Sequence, residues 1–282
     1  LAEKEKSNSY TIGTTLKTGS YSSFCFCGKS KSGRTTMAAS FPKPIWLDFD
    51  HGLETVSDRD DLRIKLTPGE KTSKIMQKIL LNLQNKSGPF KELSADDYPK
   101  TLIVDTGSSF SWFLEEEVKR HGEVGKSPRP GDGDGLYLGD YNVIHTRIGK
   151  IIRLSKELEM NVVWIFNVSF FEDPNYEGIF ESPAVTGQKM SPEIPHFFNE
   201  VYYFKSVPIK NKESSESEDG LLAKYMMNFV PTKKFPYAGT KTKGTMVKKF
   251  PKGRVVNPTW DKIEECFLSK KKKSTKSGTK KN

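Results

Sequence analysis

FCFCGKSKSGRTTMAASFP, residues 24–42, carries the decision about the fold. It passes from an apolar run, through a loop of small and basic residues, into a segment around Met37, Ala38 and Ala39. The apolar run predicts a strand over Ser22 to Cys27, and the segment after Gly33 predicts a helix over Arg34 to Ser40. Between them, Gly28, Lys29, Ser30, Lys31, Ser32, Gly33, Arg34 and Thr35 match the Walker A pattern G-x-x-x-x-G-K-[ST] at every fixed position except the lysine. Glycines at those two places permit a tight turn and a close approach of backbone N–H groups to an anion. Arg34 keeps the positive charge but presents a planar fork where a compact ammonium is the rule.

The expectation is therefore a triphosphate nucleotide held by residues 28–35 together with Thr36, with the Thr35 hydroxyl as a ligand to Mg²⁺. Lys29 or Lys31 could supply part of the missing point charge, and hydrolysis is expected to suffer more than binding. Such a site needs an acid at the end of a second strand. TLIVDT, residues 101–106, ends its apolar run on Asp105, followed by Gly107, Ser108 and Ser109. Asp105 is the expected Mg²⁺ acid, against the alternative of a simple helix cap.

A further carboxylate is needed to orient water on the terminal phosphate. IWLDFDHGLE, residues 45–54, offers Asp48, Asp50 and Glu54; Asp50 is the candidate, with Asp48 on the same strand face open as well. Asn167, closing NVVWIFN, is read equally as a phosphate sensor and as a turn residue.

Working outward, further strands are predicted over Ile45 to Phe49, Thr101 to Asp105 and Asn161 to Phe166. Helices are predicted over Ser73 to Gln84, Ser109 to Arg120 and Tyr141 to Glu159. In the last, Val143, Ile144, Ile148, Ile151, Ile152, Leu154 and Leu158 outline one apolar face. The alternation predicts an α/β fold, a mostly parallel sheet with helices on both faces. After Phe166 the runs SFFEDP, GIFESP, EVYYFKS and LLAKYMMNFV read as antiparallel hairpins extending the sheet at one edge, with residues 210–220 as a loop. SPRPGDGDG, residues 127–135, reads as a linker, because its aspartates lack the glutamate that closes a calcium loop.

The formal charge of +10 favours a polyanionic partner such as nucleic acid. Much of that excess lies in KKKKSTKSGTKKN at the end of the sequence, which with the polar residues 1–19 is expected to be disordered. The division expected is a polar segment 1–19, one domain over 20–268 and a basic tail over 269–282. Three cysteines make no disulfide framework, which favours a reducing, cytoplasmic setting. Cys25 and Cys27 are expected to face opposite ways in their strand, as small buried hydrophobes. No apolar run reaches the roughly 18 residues that span a bilayer, and no membrane partner is expected.

The series GKSKSGRTTMAASFPKPIWLDFDHGLE, TLIVDT, LSKELEMNVVWIFNV and PAVTGQKMSPEIPHFFNEVYYF resembles the RecA-like P-loop ATPases that phages encode, including the single-strand-annealing group. The likeness spans roughly residues 20–268. It implies a RecA-like P-loop core, ATP with Mg²⁺, and action on single-stranded DNA in phage recombination, replication or repair. It further implies a homo-oligomer with ATP between subunits, in which a lysine pair acts in the neighbour's site. Lys241 and Lys243 of GTKTKGT match that pair, or belong to a basic hairpin on nucleic acid. DNA contact is implied around residues 186–191, with Gly187, Gln188 and Lys189 near phosphates, and at Phe170 or Phe171 as a stacking platform. The competing reading is a P-loop scaffold without turnover; a metabolite kinase lacks the arginine-rich lid it would need.

Overall fold

The computed structural model describes residues 21–69, 71–121, 136–172, 178–187, 189–210 and 221–267. The polar segment 1–19, the basic tail 269–282, the linker 127–135 and Gln188 lie outside the described residues.

Strand β1 (Ser23–Gly28) leads through the glycine loop into α1 (Arg34–Ala39), and β2 (Pro44–Asp48) follows. Helix α1 has only six residues because Pro42 disfavours helical backbone at Phe41 and Pro44 starts the next strand. Then come β3 (Leu62–Lys65), α2 (Thr72–Gln84), β4 (Thr101–Asp105), α3 (Gly107–His121), α4 (Leu138–Lys156) and β5 (Asn161–Phe166). The remainder comprises β6 (Val168–Glu172), β7 (Ile179–Pro183), α5 (Met190–Glu193), β8 (Glu200–Lys210), β9 (Leu221–Asn228), β10 (Gly239–Thr240), α6 (Lys243–Lys249), β11 (Arg254–Val256) and α7 (Trp260–Ile263).

Among the described residues the main sheet has the order β11-β9-β8-β1-β5-β4-β2-β3, with β10 also paired to β8. Strands β8, β1, β5, β4, β2 and β3 run parallel to their neighbours, and β9, β10 and β11 add antiparallel at one side. This is the expected class: a mostly parallel sheet between helices, with antiparallel strands at one edge.

Two details differ from expectation. The runs at 168–172 and 179–183 pair with each other in a separate two-stranded sheet and do not extend the main one. The run EVYYFKS is no edge strand, since its first half pairs parallel with β1 and only its second half forms the hairpin with β9. Long-range pairing to β1 decides that, and no local pattern reports it.

Alternation splits the core in two. Phe24, Phe26, Trp46, Ile103, Val163 and Ile165 pack under α1, α6 and α7, while Leu102, Val104, Val162, Trp164 and Phe166 pack under α2, α3 and α4. Each buried side chain of this size contributes about 1.5–3 kcal/mol. Cys25 and Cys27 do not face opposite ways: residues two apart in a strand share a face, and their Sγ atoms lie 3.4 Å apart in the second cluster. Helix α7 is tied to the end of α1 where Trp260 N–H donates to Ser40 Oγ at 2.7 Å, with Trp260 against Phe41 at 4.3 Å between ring centres. No described helix is long and apolar enough to cross a membrane.

Candidate functional site

All the strand ends that matter open at one edge of the parallel sheet. Register places Cys27 beside Phe166, and Asp105 beside both Asp48 and Ile165. The turns after β1, β2, β4 and β5 therefore meet where ligands bind in sheets of this kind. They enclose a cleft of about 770 Å³ lined by Lys29 through Thr36, Asp50, Gly52, Asp105, Thr106, Asn167, Val168 and Tyr225.

The loop is shaped by two glycines. A Cβ on Gly28 would stand 2.6 Å from the Phe204 carbonyl oxygen and 2.7 Å from Ser32 Oγ. Gly33 has φ of 88°, and a Cβ there would meet the Tyr225 ring at 2.8 Å. Lys31 also takes a left-handed conformation, at φ 60°. With only six residues in α1, aligned peptide dipoles contribute little, so loop amides and charged side chains carry more of any anion binding.

Arg34 does not project freely into this cleft. Its guanidinium is buried, donating to the carbonyl of Phe166, to the Lys29 carbonyl at 3.2 Å and to Asn167 Oδ1 at 2.8 Å. The fork thus clamps the start of the glycine loop to the end of β5. Burial pushes its pKa down, opposed by the nearby Asp105 charge. A lysine has no planar fork to span these three acceptors.

Thr35 and Asp105, expected as the magnesium pair, are brought together: Thr35 Oγ1 donates to Asp105 Oδ2 at 3.2 Å. Burial, and secondly the Asp50 charge, raise the Asp105 pKa to about 6, while Arg34 and the Thr35 hydrogen bond pull the other way. A carboxylate so disfavoured as an anion is relieved by a cation beside it. Among the described residues no group of three or more His, Cys, Asp and Glu could hold a metal alone. One or two carboxylates completed by substrate oxygens is the manner of Mg²⁺, and the donor set fits it.

The two acids of the second strand separate clearly. Asp48 is fully buried, paired with Arg63 through Nε at 2.9 Å and a second close nitrogen, and accepting from the His51 N–H at 2.8 Å. It is committed to structure. Asp50 lines the cleft, where its Oδ1 accepts from Thr106 Oγ1 at 3.3 Å and from the Ser109 hydroxyl. Glu54, in a short 3-10 helix at Leu53–Val56, is not among the residues lining the cleft.

Asn167 reaches the cleft, but its Oδ1 accepts from Arg34 and its backbone N–H donates to Ser108 Oγ at 3.0 Å. Of the phenylalanines, Phe170 is 69% exposed, whereas Phe171 packs on Phe180 at 5.4 Å. Gly187 is covered by His145 and Tyr141, a Cβ there meeting His145 Nε2 at 2.5 Å, so it serves packing and does not stand open to a phosphate. Lys189 beside it is exposed at the start of α5. Lys241 donates to Asn199 Oδ1 in the turn after β10, and Lys243 opens α6; the basic hairpin considered for this stretch is a turn and a helix. Thr240 pairs with Glu200, which pairs with Phe24 at the other end of β1 from the glycine loop.

Tyr225, Thr106 and Ser109 were not singled out from the sequence. Thr106 and Ser109 lie just after Asp105 but support Asp50 across the cleft, a pairing that no local pattern reports; Tyr225 carried no local signal either. No curated protein matches the chain. A solved structure described as "Crystal structure of the RadB recombinase" is 11% identical, with a TM-score of 0.38 over 74% of this chain and 80% of that one. The family described as "AAA domain" (AAA_24) matches residues 21–237, well over half of the sequence. With its glycine loop and the acid closing β4 meeting in one cleft, the chain belongs to this AAA domain family.

Proposed function

We propose that this chain binds Mg·ATP in the cleft over the glycine loop and hydrolyses it slowly, as a RecA-like protein acting on single-stranded DNA in phage recombination, replication or repair, in the host cytoplasm. The observation that carries the reading is the contact of Thr35 with Asp105 at the mouth of a glycine-shaped loop. Gly28 through Thr36 supply the amides and hydroxyls for the phosphates. Thr35 and Asp105 hold Mg²⁺, directly or through water. Asp50, which accepts from the Thr106 and Ser109 hydroxyls, orients water in this reading. When bound, Mg²⁺ neutralises phosphate charge that would otherwise face two aspartates.

Support for a nucleic-acid partner is the +10 charge and the exposed Phe170, which shares a surface cavity with Lys233 and Lys234. Aromatic faces beside lysines suit unpaired bases and their phosphates; exposed Lys189 is a further candidate contact. Support for a homo-oligomer is the placement of Lys241. It follows a strand paired to the start of β8, at least four residues, or about 13 Å, from its own loop. Lys241 and Lys243 are therefore proposed to serve a neighbouring subunit's nucleotide.

Titration calorimetry with Mg·ATP tests the core reading. Wild type should give measurable heat and Thr35→Ala at least a tenfold weaker complex; a silent wild type overturns it. Sedimentation with ATP and single-stranded DNA tests assembly, and a monomer under every condition removes that part. The clamped Arg34 favours a second reading, nucleotide binding without turnover. Phosphate release that is appreciable in wild type and lost in Asp105→Ala decides for the enzyme.

A further inference from the structure

We infer that Lys29 is the cation that meets the nucleotide's terminal phosphates, and that Glu181 holds it in reserve by an exchangeable ion pair. This rests on the nucleotide reading above and assigns the charge that Arg34 cannot bring. Arg34 is engaged by three protein acceptors under the loop, so a phosphate drawing on its fork would have to break that clamp. The remaining lysines of the cleft wall are Lys29 and Lys31.

Lys29 is the one with a partner suited to exchange. Its Nζ stands 3.9 Å from Glu181 Oε1, beyond hydrogen-bond range, and 5.4 Å from the centre of the Phe170 ring. The side chain is 61% exposed, and it borders both the nucleotide cleft and the adjoining cavity of about 380 Å³ on the β8 side. It can therefore swing between the two without disturbing the core.

Glu181 can let it go. The carboxylate is buried on β7, and a buried anion needs a cation nearby. Lys234 Nζ already stands 3.1 Å from the same Oε1, and the Tyr203 hydroxyl donates to Oε2. No hydrogen bond of good geometry reaches Oε1 from either ammonium, so the pair with Lys29 is electrostatic and loose. A phosphate arriving in the cleft competes for Lys29, while Lys234 still neutralises the Glu181 charge and Tyr203 keeps its hydrogen bond to Oε2. Glu181 is thus a positioning residue, and Lys29 the binding one.

A double-mutant cycle on the full chain tests this, with binding of magnesium tripolyphosphate and of Mg·ATP measured by calorimetry. Lys29→Ala should weaken both ligands by about 10- to 100-fold, the range of a charge-assisted hydrogen bond, and Lys29→Arg should recover most of it. Lys31→Ala should lose less than Lys29→Ala. Glu181→Gln should tighten both ligands several-fold in the wild-type background and change nothing in the Lys29→Ala background. If Glu181→Gln gives the same gain with Lys29 removed, the carboxylate acts only through its general field and the inference fails while nucleotide binding stands. If Lys31→Ala loses more than Lys29→Ala, the assignment is wrong. If wild type binds neither ligand, the proposed function falls and takes this inference with it. Should Glu181→Gln fail to fold, the comparison of Ala with Arg at 29, and of 29 with 31, still decides.

Discussion

Asp105→Asn should make the metal-free protein more stable while weakening its grip on Mg·ATP. The carboxyl is 6% exposed and its pKa is raised from 3.8 to about 6. At about 1.36 kcal/mol per unit, its ionisation costs the folded state about 3 kcal/mol above pH 6. Asparagine removes the charge, nearly preserves the volume and can still accept from the Thr35 hydroxyl. Part of the gain is lost with the attraction to Arg34, so the net expectation is about 1–3 kcal/mol.

For a domain of this size, at about 2 °C per kcal/mol, that is a rise of about 2–6 °C in Tm. The sign with pH follows from linkage. Between 3.8 and about 6 the folded protein holds more proton at Asp105 than the unfolded chain does, so wild-type stability from this group falls as pH rises through that window. It is fully present below 3.8 and fully lost above about 6. The advantage of Asp105→Asn should thus be absent near pH 4 and complete by pH 7, and added Mg·ATP should stabilise wild type more than the variant. Thermal melts in EDTA at pH 4, 5, 6 and 7.5 measure it. A variant less stable than wild type at pH 7.5, or a gain of equal size at every pH, would refute the placement of Asp105 as a strained buried anion.

Arg34→Lys should lower the stability of the nucleotide-free protein by about 1–3 kcal/mol, because the carbonyl of Phe166 is met by one guanidinium nitrogen and those of Lys29 and Asn167 by the other, and a single ammonium nitrogen cannot stand in both places; urea titration reports it, and an unchanged midpoint would dissolve the clamp. Gly33→Ala combines a φ of 88° with a contact of 2.8 Å on the Tyr225 ring, and should cost about 1–3 kcal/mol along with nucleotide affinity; Tyr225→Ala should restore part of the stability by clearing the space. Arg63→Ala leaves Asp48 buried beside only His51, and should destabilise by about 2–4 kcal/mol, somewhat under the loss for a fully buried pair since Arg63 is 33% exposed. That variant should bind Mg·ATP normally once folded, which would separate the role of Asp48 from that of Asp50.

The glycine loop, its strand and helix, the acid closing TLIVDT, and the sheet's parallel character were all present in the linear sequence. Each is a local matter: short apolar runs, a helical stripe on α4, two glycines at fixed spacing. Four of the central strands accordingly fall within one residue of where their apolar runs put them. What the sequence left undecided depended on groups distant in the chain. Arg34 looks like a phosphate ligand until β5, more than 130 residues later, supplies the acceptors that clamp it. Asp48 and Asp50 are equivalent by alternation until β3 brings Arg63 to one and the turn after β4 brings hydroxyls to the other. Glu181 and Tyr225 reach the loop only because β7 and the β8–β9 hairpin fold back beside β1. A charge or a hydroxyl acts over a few ångströms, and only the tertiary fold settles which ones come that near.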